Sequence, residues 1–346
     1  MRPLVALVAW SCVIACVGCG GSSHTPNPVP AVDAGADVAD AAPIDAGAPV
    51  TVVYEVSYFR LGVSTWDGTA DPDAWKQYGF DLDSICTTAD QSATSAGTCI
   101  RADKSVPEVL TDGNDCIDNN FGSRLVPLVK LLGGDIETNL VDGVKKGGAT
   151  LAMRLTDLAP AGADDHVPGA LYAAKSASGA SAFDGSDVMD VDESSVSEKD
   201  LERPIAVLDG KVELVDGKRV WKGTADTMAL PVVFLAGASG SVPVRGVRIE
   251  IDLDAHRGLV GGYSLVTDIA TVVNAILAKQ KICPGNLLYT TAQDNVTQAA
   301  DMPAMLPQDP TQSCAAISLG LGLEFVPATL GKLYPTPPPP ANPCAK

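Results

Sequence analysis

VRIEIDLD, residues 247–254, sets Val247, Ile249, Ile251 and Leu253 against Arg248, Glu250, Asp252 and Asp254. A period of two means a strand with one face in a core and the other in water. Working outward, ISLGLGLEF at 317–325 repeats the pattern, with Ile317, Leu319, Leu321, Leu323 and Phe325 facing one way and Ser318, Gly320, Gly322 and Glu324 the other. Its glycines predict either a close neighbour over the second face or a bulge. TVVYEVSYF (51–59) and ATLAMRLTDL (149–158) also read as strands. KVELVDGKRVW (211–221) carries Asp216-Gly217 between two alternating runs, the signature of a tight hairpin. TMALPVVFL (227–235) contains Pro231, which cannot donate to a ladder and places that run at an edge or bulge.

Helical signals are fewer. SLVTDIATVVNAILAKQK (264–281) puts Ile269, Val272, Val273 and Ile276 on one face, with Ser264 or Thr267 as its cap. DIETNLVDGVKK (135–146) spaces Ile136, Leu140 and Val144 by four, and DPDAWKQYG (71–79) is a short helical turn. These patterns predict a mostly β (α+β) domain, an antiparallel two-layer β-sandwich with a few peripheral helices.

The two ends of the chain differ from this body. MRPLVALVAWSCVIACVGCGGSS has one early cation, Arg2, and then an apolar run from Leu4 to Ile14. That run is too short to span a bilayer and reads as the core of a secretion signal. The cysteines after it resemble a bacterial lipoprotein cleavage site. VIAC ending at Cys16 fits the usual pattern of such sites better than CVGC ending at Cys19, but parity favours Cys19. Cutting there leaves Cys19 for lipid and six further cysteines, Cys86, Cys99, Cys116, Cys283, Cys314 and Cys344, for three disulfides. The expected organisation is a signal peptide at 1–18 and a lipidated Cys19 with an unstructured Ala/Asp/Gly/Pro tether at 19–49. A globular domain at 50–334 and a proline-rich tail at 335–346 follow. Sequence proximity suggests Cys86 with Cys99 and Cys283 with Cys314, leaving Cys116 to hold Cys344 and the tail.

Charge narrows the partners. The 346-residue chain carries a formal charge of −18, and from residue 50 onward it keeps 38 acidic and 23 basic residues, a net −15. Such a field repels phosphate backbones, so nucleic acid is not an expected partner, and it attracts cations.

Nucleophilic chemistry finds little foothold. His24 lies in the tether, His166 in a loop and His256 just after a strand, and the chain contains no G-x-S-x-G, phosphate-binding loop or H-E-x-x-H. Carboxylates are abundant instead, in WDGTADPDAW (66–75), GFDLDS (79–84), TDGNDCIDNNFG (111–122) and FDGSDVMDVDE (183–193). In the third of these, Asp112, Asn114, Asp118 and Asn119 could supply four oxygens to calcium, completed by carbonyls or by a segment such as FDGSD. The EF-hand pattern fails, because counting from Asp112 puts Ile117 where glycine belongs and Ser123 where glutamate belongs. The simpler reading is a set of Asx-turns capping the segment that enters SRLVPLVKLLG (123–133), pinned through Cys116.

DPDAWKQYGFDLDSIC, DGNDCIDNNFG, FDGSDVMDV and CAAISLGLGLEF, with the lipoprotein-like start and the Asp-Ala-Gly tether, resemble an uncharacterised family of predicted myxobacterial-type outer-membrane lipoproteins. The resemblance covers most of residues 60–344. It implies a secreted, lipid-anchored, disulfide-bearing domain and transfers no catalytic residue. The expected function is a binding or adhesion module at the envelope, for a glycan or an envelope protein; at 111–122 the capped turn is expected ahead of a stabilising calcium site. An extracellular glycosidase-like hydrolase using paired carboxylates is the alternative.

Overall fold

The computed structural model describes residues 47–90, 99–100, 110–133, 136–231, 241–307, 311–338 and 343–344. The signal peptide, Cys19, His24 and nearly all of the tether lie outside the described residues. Strands β1 (Val50–Arg60), β2 (Thr150–Leu158) and β3 (Gly169–Ser176) form an antiparallel meander, with β4 (Val188–Asp192) set to one side. The meander continues from β3 into β5 (Ala206–Val215), β6 (Lys218–Pro231), β7 (Ser241–Asp252), β8 (Arg257–Leu265) and β9 (Ala316–Tyr334). β9 then pairs back onto β1, from Val53↔Ala328 to Arg60↔Gly322.

That last pairing closes an eight-stranded antiparallel barrel and overturns the expected two-layer sandwich. Both architectures ask each strand for one apolar and one outer face, so alternation alone does not separate them. Pairing between the first strand and the last does. The interior is packed by side chains such as Leu151, Leu155, Leu208, Ile251 and Leu321. Trp221 on β6 is fully buried among them, and its Nε1 donates to the carbonyl of Val167 at 2.8 Å. A Cβ on Gly169, Gly210 or Gly223 would stand 2.6, 2.6 or 2.1 Å from the indole, so these glycines make its room.

The local strand readings hold among the described residues, and 232–235 of the run through Pro231 lie outside them. Asp216 and Gly217, at φ 51° and 78°, turn β5 into β6 with Val215 opposite Lys218. Beyond Thr224, β6 has β7 as its partner without β5, and Pro231 ends that one-sided stretch opposite Ser241. Helices α1 (Val126–Gly133), α2 (Ile136–Lys145) and α3 (Val266–Lys279) lie at one mouth of the barrel, while α4 (Leu287–Gln298) packs against α3. α3 begins at Val266 with Leu265 at its N-cap and no side-chain cap bond, so neither expected cap serves: Thr267 lies inside the helix and Ser264 donates its hydroxyl to the carbonyl of Pro243. Among the described residues no helix is long and apolar enough to cross a membrane.

β4 builds a second, smaller circuit. It pairs antiparallel with β3 and parallel with the far end of β9, so β1, β2, β3, β4 and β9 also close on one another. The outer faces of β2 and β3 are therefore buried too, and Ala152, Ala170, Tyr172, Met189 and Val191 make a separate small core.

Six cysteines form three disulfides, as parity predicts, but the partners differ from those expected: Cys86–Cys116, Cys99–Cys314 and Cys283–Cys344. Proximity in sequence misleads because backbone pairing intervenes. Thr87 bonds Asp112, which brings Cys86 to Cys116, and the Ile100↔Ser313 bridge brings Cys99 to Cys314. Cys344 does return the tail to the body, through Cys283.

Candidate functional site

The outer face of β9 is where the acidic loops gather. Gly320 and Gly322 point away from the core, and a Cβ on Gly320 would lie 2.1 Å from the carbonyl of Tyr78. The close neighbour that these glycines predict is therefore the segment containing Ala74–Gln77, a single 3-10 turn, and Tyr78. Asn119 fastens it there. Its Nδ2 donates to the carbonyls of Trp75 and Tyr78, and its Oδ1 accepts from the N–H groups of Gly122 and Gly320. All of the amide's bonding positions are then used, so Asn119 serves the framework and has nothing left for a cation. Asn114 is exposed on the three-residue turn Asn114–Cys116.

One residue before Asn119 the chemistry changes. Asp118 is buried, 4% exposed, and its backbone bridges Phe80. Carboxyl oxygens of Asp118, Asp81 and Asp83 lie within 4.8 Å of one another. Each accepts one backbone N–H: Asp118 from Leu82 at 2.7 Å, Asp81 from Ser84 at 2.6 Å and Asp83 from Ile85 at 2.8 Å. Among the described residues, Leu82 supplies the one hydrogen bond to the Asp118 carboxylate. Asp112 accepts from the N–H of Thr87 at 2.5 Å, and Asp301 accepts from the N–H and hydroxyl of Ser318.

Burial, with the Asp83 and Asp301 carboxylates nearby, pushes the Asp118 carboxyl well above the usual range. Burial likewise raises Asp112, with Asp83, Asp301 and Asp81 adding to the effect, and raises Asp301 to about 6. These are five carboxyls on three chain segments, and their crowding favours the protonated forms of Asp112, Asp118 and Asp301. The Cys86–Cys116 disulfide ties together the two segments that carry Asp81, Asp83 and Asp118.

Of the four residues singled out in sequence, the structure brings Asp118 and Asp112 into this cluster and assigns Asn119 to the framework. The completing segment is GFDLDS rather than FDGSD. Asp81 and Asp83 carried a visible signal, an Asp-x-Asp spacing in an acidic run, but their meeting with Asp118 depends on the Phe80↔Asp118 bridge. The donor set suits a hard cation, since calcium takes six to eight oxygens from carboxylates, carbonyls and water at about 2.3–2.6 Å. Converging carboxylates also cost least when a dication balances them.

His166 is exposed, and His256 sits in the turn between β7 and β8 with its ring 5.6 Å from that of Tyr54. A separate small cleft, with a free volume of about 40 Å³, lies at the helix-covered mouth between Phe121, Leu125, Ile136, Leu230, Ile269 and Leu319. Its lining is apolar and includes none of the clustered carboxylates. Comparisons with protein-family models, with curated proteins and with solved structures find no match to this chain.

Proposed function

We propose that this chain is a lipid-anchored binding module of the cell envelope, whose loop-bearing face is organised by a calcium-class cation held by Asp81, Asp83 and Asp118. The observation that carries the reading is the convergence of three carboxylates around the buried Asp118. Asp112 and Asp301 are further carboxyls whose titration is shifted by the same crowded, buried surroundings. Bound there, the cation would join the segment around Asp81 to the one around Asp118 and hold both against β9. A glycan or an envelope protein is the class of partner that such a displayed loop face serves. The net −15 of the body argues against nucleic acid. The anchor rests on the lipoprotein-like start, on cysteine parity and on the family resemblance, with Cys19 as the acylated residue and the outer membrane as the destination.

A carboxylate-based hydrolase draws less support, because it needs paired carboxyls facing a cleft that admits a polymer. The apolar cleft at the barrel mouth is lined by none of them.

Calcium titration by calorimetry tests the cation: the wild type should bind calcium, and Asp118→Asn should lose one equivalent. Unchanged binding by Asp118→Asn would sink this site. Mass spectrometry of the mature N-terminus tests the anchor, and a lipid on Cys16, or none, would defeat the Cys19 assignment.

A further inference from the structure

Glu55 lies on β1 opposite Ala152 of β2, and so faces the small second core rather than the barrel interior. It is fully buried, and among the described residues neither of its carboxyl oxygens has a hydrogen-bond partner. The side chains that act on it are Asp187, Ser181 and Asp184, from the turn leading into β4. Asp187 is buried as well, and its carboxylate accepts from the N–H groups of Ala182 and Phe183 at 2.9 and 2.8 Å. The hydroxyl of Ser181 is buried and, like Glu55, has no hydrogen-bond partner among the described residues. Two carboxylates and a hydroxyl thus meet beside an apolar core. Arg154, on the same face of β2, directs its guanidinium outward to Glu202.

A buried carboxylate without a donor is strongly disfavoured as an anion, so this arrangement needs a compensating group. We propose that Glu55, Asp187 and Ser181 form a second oxygen-lined site for a divalent cation of the calcium class, between β1 and the turn that enters β4. The charge closes, since two carboxylates match one dication. The donors are hard oxygens, which select calcium-like ions over thiophilic metals. Asp187 keeps lone pairs for a cation after accepting its backbone bonds, because each carboxylate oxygen has two. The ion would pin the second circuit to the barrel through β1, and it shares no residue with the Asp118 cluster.

Calcium alone is the probe, titrated calorimetrically into the purified mature chain at neutral pH. Glu55→Gln should bind one equivalent fewer than its parent, both in the wild type and in an Asp118→Asn background. Ser181→Ala, a milder change, should weaken that same equivalent by about tenfold. The two sites stay distinguishable, because failure of the outer cluster shows in Asp118→Asn and leaves the Glu55-dependent equivalent in place. The proposal is overturned if Glu55→Gln binds as many equivalents as its parent. It is also overturned if Glu55→Gln raises the melting temperature equally in calcium and in chelator, which would mark a proton shared with Asp187. If Glu55→Gln does not fold, unchanged affinities in Ser181→Ala overturn it.

Discussion

Glu137 and Glu55 are both buried glutamates, and they are opposite cases. Glu137, on α2, accepts from the N–H groups of Leu61 and Val63 and from the hydroxyl of Ser64. It therefore clamps the helix to the chain leaving β1. Close by, Arg60 donates to Ser64 and pairs with Glu324 at 2.6 Å, so this network supplies donors for its charges. Glu55, earlier on the same strand, accepts no hydrogen bond among the described residues. Burial, reinforced by Asp187, raises its carboxyl to about 8. The difference teaches that burial does not decide what a carboxylate is for: donors make Glu137 a structural clamp, and their absence leaves Glu55 needing a proton or a cation.

The strongest way to break this comparison is Glu137→Ala, which strands two backbone donors and a hydroxyl. It should cost roughly 3–5 kcal/mol, measured by urea unfolding at neutral pH. A loss under about 1 kcal/mol would remove Glu137 as a clamp.

Next in size is the pH response in chelator. The folded state holds a proton on Glu55 up to about pH 8, whereas the unfolded chain releases it near 4.5. Between these values the folded state binds more protons, so stability falls as pH rises. The fall should be on the order of 3 kcal/mol, with Asp118, Asp112 and Asp301 acting in the same direction. Glu55→Gln should flatten the slope in thermal melts from pH 4.5 to 8, and an unaltered slope would contradict the reading of Glu55.

Chelation should follow in magnitude. A ligand at a hundredfold excess over Kd stabilises the folded state by about 2.7 kcal/mol per site, so adding chelator should lower the melting temperature by several degrees. Equal melting of the wild type in calcium and in chelator would tell against both cation sites. The smallest effect sharpens the outer cluster. Asp118→Asn keeps an oxygen for the N–H of Leu82 and replaces a raised carboxyl with a neutral amide, so in chelator its stability should change by less than about 1 kcal/mol. A larger loss there would make Asp118 a structural clamp of the Glu137 kind.

The site was legible only in part, and the reasons are physical. Asp118 and Asp112 stood out because they share one dense acidic run. Asp81 and Asp83 stood in another, and nothing local connects 79–84 to 118. Glu55 gave a weaker signal, one acid within an otherwise strand-forming run. Its importance depends on β4 closing over the outer face of β1, β2 and β3. Asn119 looked like a ligand beside Asp118, yet one step along the chain turned its amide into the segment packed on Gly320.

By itself the sequence determined what short-range physics governs. Alternation in 247–254 and 317–325 made strands, Asp216-Gly217 made a hairpin, spacing by three and four made α2 and α3, and six body cysteines implied three disulfides. Each of these depends on residues close together in the chain, or on parity. Tertiary structure alone decided that β9 returns to β1 and closes a barrel, that Cys86 meets Cys116 and not Cys99, and that Asp81 and Asp83 meet Asp118. Those outcomes join residues far apart in sequence, and a period-two pattern satisfies a sandwich and a barrel equally. The choice lies with the pairing energy and packing of the whole assembly, which no local stretch encodes.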